Sequence, residues 1–516
     1  MLKKFLAAGA LLTVSLWVGR AQNDAMTAIN DAMKAMGSQS LKSVAYSGEG
    51  FDACVGQSFT PSSHWRRFSN KQYVRSIDFD AKGWRLERIR GEGENPPRGG
   101  CAAGPVTDTP QNQVTALNAN SPWNAQLEYI LLPQGFLRTA MDKNATAKTE
   151  TIKGRKYTVV SFMGDNKAPV NGYINDQGYV ERVETKIDNN VLGDIVWDAV
   201  YTGWKDFGGV KFPTHVVQHQ GDSEFFELAI ADVKPNPPVD LTPPAGRGGG
   251  LAAKGGDGKG KAGDGKGKAA ADAKGKAGPG GPASGRGPGG PAGPMSEDLG
   301  GGFWLVTGGY AAVVADFKNY IVVIEGPQND MRALQVIAEA KRLVPNKPIK
   351  YVINTHNHFD HNGGLRAFVA EGATIITHQM NKAYYEKIFK NPHTLAPDAL
   401  SQKTPQPKVK VETMTEKKIL TDGTHRIELY RVQGSTHNDG MIVAYLPTQK
   451  ALLEADEFNV GAANAPTPAN INPYHVNLLA NVERLKLDVQ RIIPVHLPGD
   501  GRKVTLAELK TAAGKN

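Results

Sequence analysis

A 50-residue stretch rich in glycine, alanine, lysine and proline divides this chain into two parts. Residues 245–294 contain 20 of the 58 glycines of the protein and repeat short units such as GDGKGK. This composition buries too little apolar surface to offset the conformational entropy that ordering would cost. We therefore predict a disordered linker over residues 241–299, between an N-terminal domain at 22–240 and a C-terminal domain at 300–516.

The first 21 residues have the pattern of a secretory signal peptide. Two lysines precede an apolar run from Phe5 to Val18, and the tripeptide GRA at 19–21 follows as a cleavage site. The apolar run is shorter than the roughly 20 residues that a membrane-spanning helix requires. We predict a signal peptide over residues 1–21, no transmembrane segment after its removal, and a periplasmic or secreted protein.

The N-terminal domain contains both cysteines of the protein, Cys54 and Cys101. Outside the cytoplasm, an even pair of cysteines most simply forms one disulfide bond. Two free buried thiols are the alternative. We predict the disulfide, which agrees with the signal peptide.

The formal net charge of +9 would suit a nucleic-acid-binding protein if it were concentrated on one surface. The signal peptide carries three of these charges, and residues 245–294 carry a net six, with nine basic and three acidic side chains. The rest of the chain is therefore neutral overall. We predict that the protein has no nucleic-acid partner.

The densest cluster of imidazole and carboxylate side chains is the heptapeptide THNHFDH at residues 355–361. It follows the apolar run Tyr351–Ile353, which predicts a buried strand. The cluster would thus lie in the loop at the carboxyl end of a strand, where α/β proteins commonly bind ligands. Buried imidazoles and carboxylates are costly unless they are paired or bind a metal ion. The heptapeptide therefore indicates a metal site.

Three further positions follow or precede strand-like segments in the same half of the chain. They are His437 in GSTHNDG, Asp456 after the run ALLE, and His496 after RIIPV. One edge of a layered sheet could bring all of them to the heptapeptide. Imidazole and carboxylate ligands suit zinc or another first-row metal, and the number of ligands is sufficient for two ions.

These motifs resemble the metallo-β-lactamase-fold hydrolases over about residues 300–516. The family signature H-x-H-x-D-H is matched by the heptapeptide, and the later family ligands match the three further positions. The resemblance implies an αββα sandwich, in which two face-to-face sheets have helices outside. It also implies that Asp360 orients the nucleophile and passes a proton to the leaving group. The implied metal ligands are His356, His358 and His437 for one ion, Asp360, His361 and His496 for the other, and Asp456 as the bridge.

The acidic pair Asp456-Glu457 leaves two possibilities for the bridging carboxylate. A glyoxalase II-like alignment favours Asp456, and an alignment to the cysteine-free β-lactamase branch favours Glu457. We prefer Asp456, because a short carboxylate can bridge two ions about 3.5–4 Å apart without distorting the strand end. The cysteine-containing β-lactamase branch is excluded, because no cysteine follows Cys101 and the lysine expected three residues after Asp456 is Asn459.

The signal peptide and the resemblance together imply an exported, dinuclear zinc-dependent hydrolase that acts on a small-molecule substrate. Two ions that share a water lower its pKa, so that hydroxide attacks an ester, thioester, lactone or similar bond. Three alternatives stay open: a β-lactamase of the cysteine-free branch, an iron-dependent oxygenase of sulfur compounds with the same fold, and an envelope protein that binds a lipid or another ligand.

The N-terminal domain has a different pattern, which predicts an α+β domain with an antiparallel sheet. Met26, Ile29, Met33 and Met36 recur at helical spacing, and the strand-like segments that follow are separated by turns such as NDQG at 175–178. A helix followed by antiparallel strands weakly resembles periplasmic lipoprotein-carrier folds. An apolar ligand for this domain is therefore an expectation.

Overall fold

A computed structural model describes residues 24–102, 106–244 and 295–515. The predicted signal peptide and residues 245–294 of the predicted linker lie outside these ranges. Within the described ranges, no helix has the length and apolar character needed to cross a lipid bilayer.

The N-terminal domain is built on one antiparallel sheet of eleven strands, which confirms the predicted α+β class. The sheet has the order β4-β3-β2-β1-β13-β12-β9-β8-β7-β6-β5, and β10 and β11 form a separate hairpin. Three helices, α1 (24–35), α2 (Trp123–Ile130) and α3 (Pro133–Asp142), accompany it. The strands are β1 (Ser43–Ser58), β2 (Trp65–Asp78), β3 (Gly83–Glu92), β4 (Thr109–Ala116), β5 (Thr146–Ile152), β6 (Arg155–Met163), β7 (Pro169–Ile174), β8 (Val180–Asn189), β9 (Gly193–Thr202), β10 (Lys205–Phe207), β11 (Val210–Phe212), β12 (His215–Gln220) and β13 (Ser223–Pro235).

The three helices pack against the apolar side chains of this sheet in one continuous core. Ile29 of α1 and Met36, which directly follows this helix, are fully buried, as their helical spacing predicts. Phe136 of α3 is also fully buried, stacks on Phe162 with 5.7 Å between ring centroids, and lies against Gly172 of β7. Protein side chains fill this core. The described residues therefore give no support to the expected apolar ligand of the N-terminal domain, and its binding stays a prediction.

The C-terminal domain contains two sheets. The first has the order β14-β15-β16-β17-β18-β19-β20 and the second the order β21 to β26. The strands of the first sheet are β14 (Ser296–Gly300), β15 (Phe303–Val306), β16 (Ala312–Phe317), β17 (Tyr320–Ile324), β18 (Ile349–Ile353), β19 (Thr374–His378) and β20 (Val411–Met414). Those of the second are β21 (Lys417–Thr421), β22 (Arg426–Arg431), β23 (Ile442–Leu446), β24 (Ala451–Glu454), β25 (Arg491–Pro494) and β26 (Val504–Thr505). The helices are α4 (Asp330–Leu343), α5 (Phe359–Asn362), α6 (Leu365–Ala370), α7 (Lys382–Ile388), α8 (Pro473–Arg484) and α9 (Leu506–Ala512).

Three apolar clusters show that these elements form an αββα sandwich, as expected. One cluster lies between the two sheets and joins residues such as Val313 and Leu429. A second places α4, α6 and α7 on the outer face of the first sheet, and a third places α8 and α9 on the outer face of the second. Strand β14 pairs with β15, and its residues 296–299 lie within the range that the sequence assigns to the linker.

Within the described ranges, main-chain hydrogen bonds join the two domains in two regions. At one, the main-chain amide of Asp194 donates to the carbonyl of Pro392 at 2.8 Å. At the other, the end of the β1–β2 hairpin meets the loop between β22 and β23, where the amide of Asp439 donates to the carbonyl of Phe59 at 3.0 Å. The second contact lies beside the histidine-rich loop of the C-terminal domain.

Replacement of Phe136 by alanine should destabilise the N-terminal domain by about 3–5 kcal/mol, because it leaves a cavity in the core. Denaturant unfolding followed by tryptophan fluorescence measures this change. Met163, whose side chain is 60% exposed, is the control. Met163→Ala should change the free energy of unfolding by less than about 0.5 kcal/mol, and equal effects of the two substitutions would contradict the described packing.

Candidate metal centre

Strand ends bring the histidine-rich loop together with the three later positions. His356 and His358 follow β18, and Asp360 and His361 lie in the short helix α5 directly after them. Asp456 follows β24, and His496 follows β25, which pairs in parallel with β24. His437 lies between β22 and β23 of the same sheet. The two sheets pack face to face, so the ends of these strands open into one site.

The first group of potential ligands consists of His356, His358, His437 and Asp456, whose ligand atoms all lie within 4.8 Å of one another. Nε2 of His437 lies 3.0 Å from Nδ1 of His358 and 2.9 Å from Oδ2 of Asp456. Nε2 of His356 lies 3.4 Å from the same oxygen. Three imidazoles therefore point one nitrogen each toward a common position.

The second group consists of Asp360, His361 and His496, and it meets the same distance criterion. Nε2 of His361 lies 3.2 Å from Nε2 of His496, and Oδ2 of Asp360 lies 3.5 Å from Nε2 of His361. The structure thus brings together all seven residues that the sequence proposes as metal ligands, in two adjoining groups.

Asp456 joins the two groups through its two carboxylate oxygens. Oδ2 faces the first group, whereas Oδ1 lies 2.7 Å from Nε2 of His496 and 3.2 Å from Nε2 of His361. Although burial opposes ionisation, the imidazoles of His361 and His496 hold the pKa of Asp456 well below its usual range. An ionised carboxylate with one oxygen toward each group has the geometry of a bridging ligand.

Glu457, the other candidate for the bridge, has a different environment. Its carboxylate accepts a hydrogen bond from the hydroxyl of Ser435, and it belongs to neither ligand group. Burial raises the pKa of Glu457 to about 7. The position of Glu457 therefore suits a side chain that supports the loop of His437.

The chemistry of the donor set fits a metal ion of the first transition row. Burial and the neighbouring imidazoles hold the pKa values of His356 and His358 well below their usual range, so both rings are neutral and can donate a lone pair. Nε2 of His356 is buried, and although it lies 3.4 Å from Oδ2 of Asp456, it makes no well-formed hydrogen bond within the described parts of the chain. A buried nitrogen in this position is costly unless another group satisfies it, and a metal ion would do so.

Buried polar groups behind the imidazoles hold them in place. The hydroxyl of Thr355 donates to Oε2 of Glu325 at 2.7 Å and lies 3.1 Å from Nδ1 of His356. The same oxygen of Glu325 lies 3.5 Å from Nδ1 of His361. Such outer partners fix which nitrogen of a histidine faces the metal.

Four residues at the site are missing from the sequence-based prediction. They are Glu325 after β17, Tyr310 before β16, and Gln57 and Ser58 from the N-terminal domain. The hydroxyl of Tyr310 donates to Oδ2 of Asp360 at 3.2 Å, and its ring lies 4.2 Å from the ring of His496. The only signal for Glu325 is a carboxylate directly after an apolar strand, and the other three have no recognisable pattern.

The remaining histidines lie outside the two ligand groups. His378 ends β19 and is buried, but its ring does not join either group. In the N-terminal domain, His215 pairs with Glu227 and His219 pairs with Asp198, each at 2.8 Å. Each of these two histidines thus contacts a carboxylate on a neighbouring strand.

Comparison with known proteins identifies proteins that are similar to a part of this chain. Residues 323–457 match the family model of the metallo-beta-lactamase superfamily. No curated protein matches the chain. Similar solved structures include the metallo-beta-lactamase from Pontibacter korlensis, with 16% sequence identity, a TM-score of 0.33, and coverage of 43% of this chain and 97% of that one. The enzyme from Hirschia baltica has 19% identity, a TM-score of 0.33 and the same coverage. FIM-1 from Pseudomonas aeruginosa, solved in a mono-zinc form, has 16% identity, a TM-score of 0.32, and coverage of 43% and 94%.

Asp456→Asn and Glu457→Gln should differ in zinc content. The asparagine variant loses the charge that faces both groups, so we expect one zinc ion or fewer per chain after dialysis. The glutamine variant keeps the hydrogen bond with Ser435 and should retain the zinc content of the wild-type protein. Elemental analysis of both purified variants measures this difference, and the reverse result would place the bridge at Glu457.

Proposed function

We propose that the protein is a dinuclear zinc hydrolase of the metallo-beta-lactamase superfamily, whose family model matches residues 323–457. Its substrate is a small molecule with an ester, thioester, lactone or similar bond. The observation that supports this best is the carboxylate of Asp456, which has one oxygen toward each of two groups of imidazoles.

In this proposal the first group and the second group each hold one zinc ion, and Asp456 contacts both. When bound, such a pair of ions lowers the pKa of a shared water toward neutrality and polarises an oxygen atom of the substrate. The chain supplies the positions of the ligands and a site from which most bulk water is excluded, since His356, His358 and His361 are fully buried.

The substrate reaches the site from the side of Asp360 and His496. Their side chains are 32% and 34% exposed, whereas that of Asp456 is only 12% exposed. Asp360 therefore lies between the buried ligands and the opening, where its carboxylate can accept a proton and return it to the leaving group. Tyr310 holds one oxygen of this carboxylate and covers one face of His496.

Metal quantification combined with a substrate panel tests this function. The wild-type protein should bind two zinc ions per chain and hydrolyse at least one of an ester, a thioester and a lactone. A His356→Ala/Asp360→Ala variant should lose zinc and lower kcat/KM by at least about a thousandfold, because both ligand groups lose a member. His64→Ala, at an exposed position of the N-terminal domain, is the control and should leave both values unchanged.

Other results of the same experiment would favour the alternatives. Unchanged turnover in the double variant would contradict the mechanism. Iron in place of zinc would favour redox chemistry on sulfur compounds. Hydrolysis of penicillins and carbapenems would favour a β-lactamase of the cysteine-free branch.

We also propose that the protein is exported. The disulfide between Cys54 and Cys101, with 6.2 Å between their Cα atoms, supports an oxidising compartment. Mass spectrometry of the protein from its native host should show a mature chain that begins at Gln22 and has no thiol that reacts with maleimide. A chain that retains residues 1–21 would contradict export by this signal.

A further inference from the structure

We propose that the N-terminal domain completes the metal centre, because Gln57 and Ser58 at the end of β1 position two ligands of the C-terminal domain. Both residues contact polar atoms of ligand side chains directly. The inference rests on the proposed function only in taking His358 and Asp360 as metal ligands.

The carbonyl of Ser58 selects the tautomer of His358. Nε2 of His358 lies 2.9 Å from this carbonyl oxygen, which can only accept a hydrogen bond. The proton of the neutral ring therefore lies on Nε2, and Nδ1 keeps its lone pair. Nδ1 is the nitrogen that lies 3.0 Å from Nε2 of His437, inside the first ligand group. The main-chain oxygen of Ser58 in the N-terminal domain thus determines which nitrogen of His358 in the C-terminal domain can bind a metal ion.

The amide of Gln57 holds Asp360 in a similar way. Nε2 of Gln57 donates to Oδ1 of Asp360 at 2.8 Å. The other oxygen, Oδ2, faces His361 and His496 of the second group. Since the hydrogen bond fixes the plane of the carboxylate, Gln57 directs Oδ2 toward the metal position. Gln57 is a positioning residue, because it acts through Asp360.

The segment that contains Gln57 and Ser58 is fixed from both sides. The disulfide connects Cys54 of β1 with Cys101, so that the loop at 99–102 lies beside the end of β1. Arg66 is fully buried, and its guanidinium donates to the carbonyls of Gly99 and Ala102 at 3.1 Å each. The hydroxyl of Tyr474 from α8 donates to the same two carbonyls at 3.2 and 3.1 Å.

Glycines allow the close approach of this segment to the metal-binding loop. Gly56 has a φ of +82°, and a side chain there would overlap the ring of Phe359. A Cβ atom at Gly100 would lie 3.0 Å from Cε1 of His358 and would overlap the amide of Gln57. The two glycines therefore leave space for Phe359 and for the ligand His358 in particular. Simple packing between two domains would not require such a close fit to a ligand side chain.

Stepwise zinc titration of the full-length chain against a competing chelator tests the inference without any measurement of turnover. In Gln57→Leu, which keeps the approximate size of the side chain but removes the donor, zinc affinity at the second group should fall about ten- to a hundredfold. Affinity at the first group should stay within about twofold. Gln57→Ala should give the same split.

Gln126→Leu is the matched control, because Gln126 is also half-buried in the N-terminal domain and its amide donates to the carbonyl of Ser121 at 2.9 Å. It should leave both affinities unchanged, and thermal unfolding should show that all variants fold. Unchanged affinities in both Gln57 variants would overturn the inference, as would an equal loss at both groups. A wild-type protein that binds two zinc ions but hydrolyses no substrate would contradict only the proposed function.

Discussion

The carboxylate of Asp456 lies between five imidazoles, and this arrangement of one buried charge among five rings determines much of the C-terminal domain. A buried carboxylate is stable only where hydrogen bonds or opposite charges compensate its lost hydration. Here each oxygen has imidazole nitrogens within 3.4 Å on its own side. The strands that end at this position must bring those rings to one place, and the sandwich does so at one edge of its two sheets.

The layers around the site explain why so many polar groups can be buried there. Apolar residues of both sheets exclude water from the region behind the ligands. In such surroundings each remaining polar atom requires a partner, and Thr355 and Glu325 supply partners on the inner side. On the outer side, the N-terminal domain supplies the carbonyl of Ser58 as a partner for His358 and the amide of Gln57 as a partner for Asp360. Tyr310 of the C-terminal domain also donates a hydrogen bond to Asp360.

Because the partners on the outer side come partly from the N-terminal domain, this domain has a role in the site that its own fold does not suggest. Its own helices cover the apolar side chains of its large sheet, yet the end of one hairpin contacts His358, a candidate metal ligand of the other domain. The disulfide fixes that end at the point of contact. A covalent cross-link is useful there because a loop that must hold ligand side chains within tenths of an ångström cannot fluctuate freely.

The sequence by itself determined the class of both domains and the residues that are candidate metal ligands. Ligand types and their spacing are local properties, so THNHFDH, His437, the acidic pair Asp456-Glu457 and His496 were recognisable from their neighbours alone. The helical spacing of Ile29 and Met36 and the pair of cysteines were local signals of the same kind. What only the tertiary structure decided was the set of contacts between residues far apart in the chain. Gln57 and Asp360 are 303 positions apart, and no pattern around either residue announces the hydrogen bond between them. The choice of Asp456 over Glu457 also depended on the fold, because two adjacent carboxylates at the end of a strand point in different directions, and only the packing of the two sheets shows which one faces the histidines.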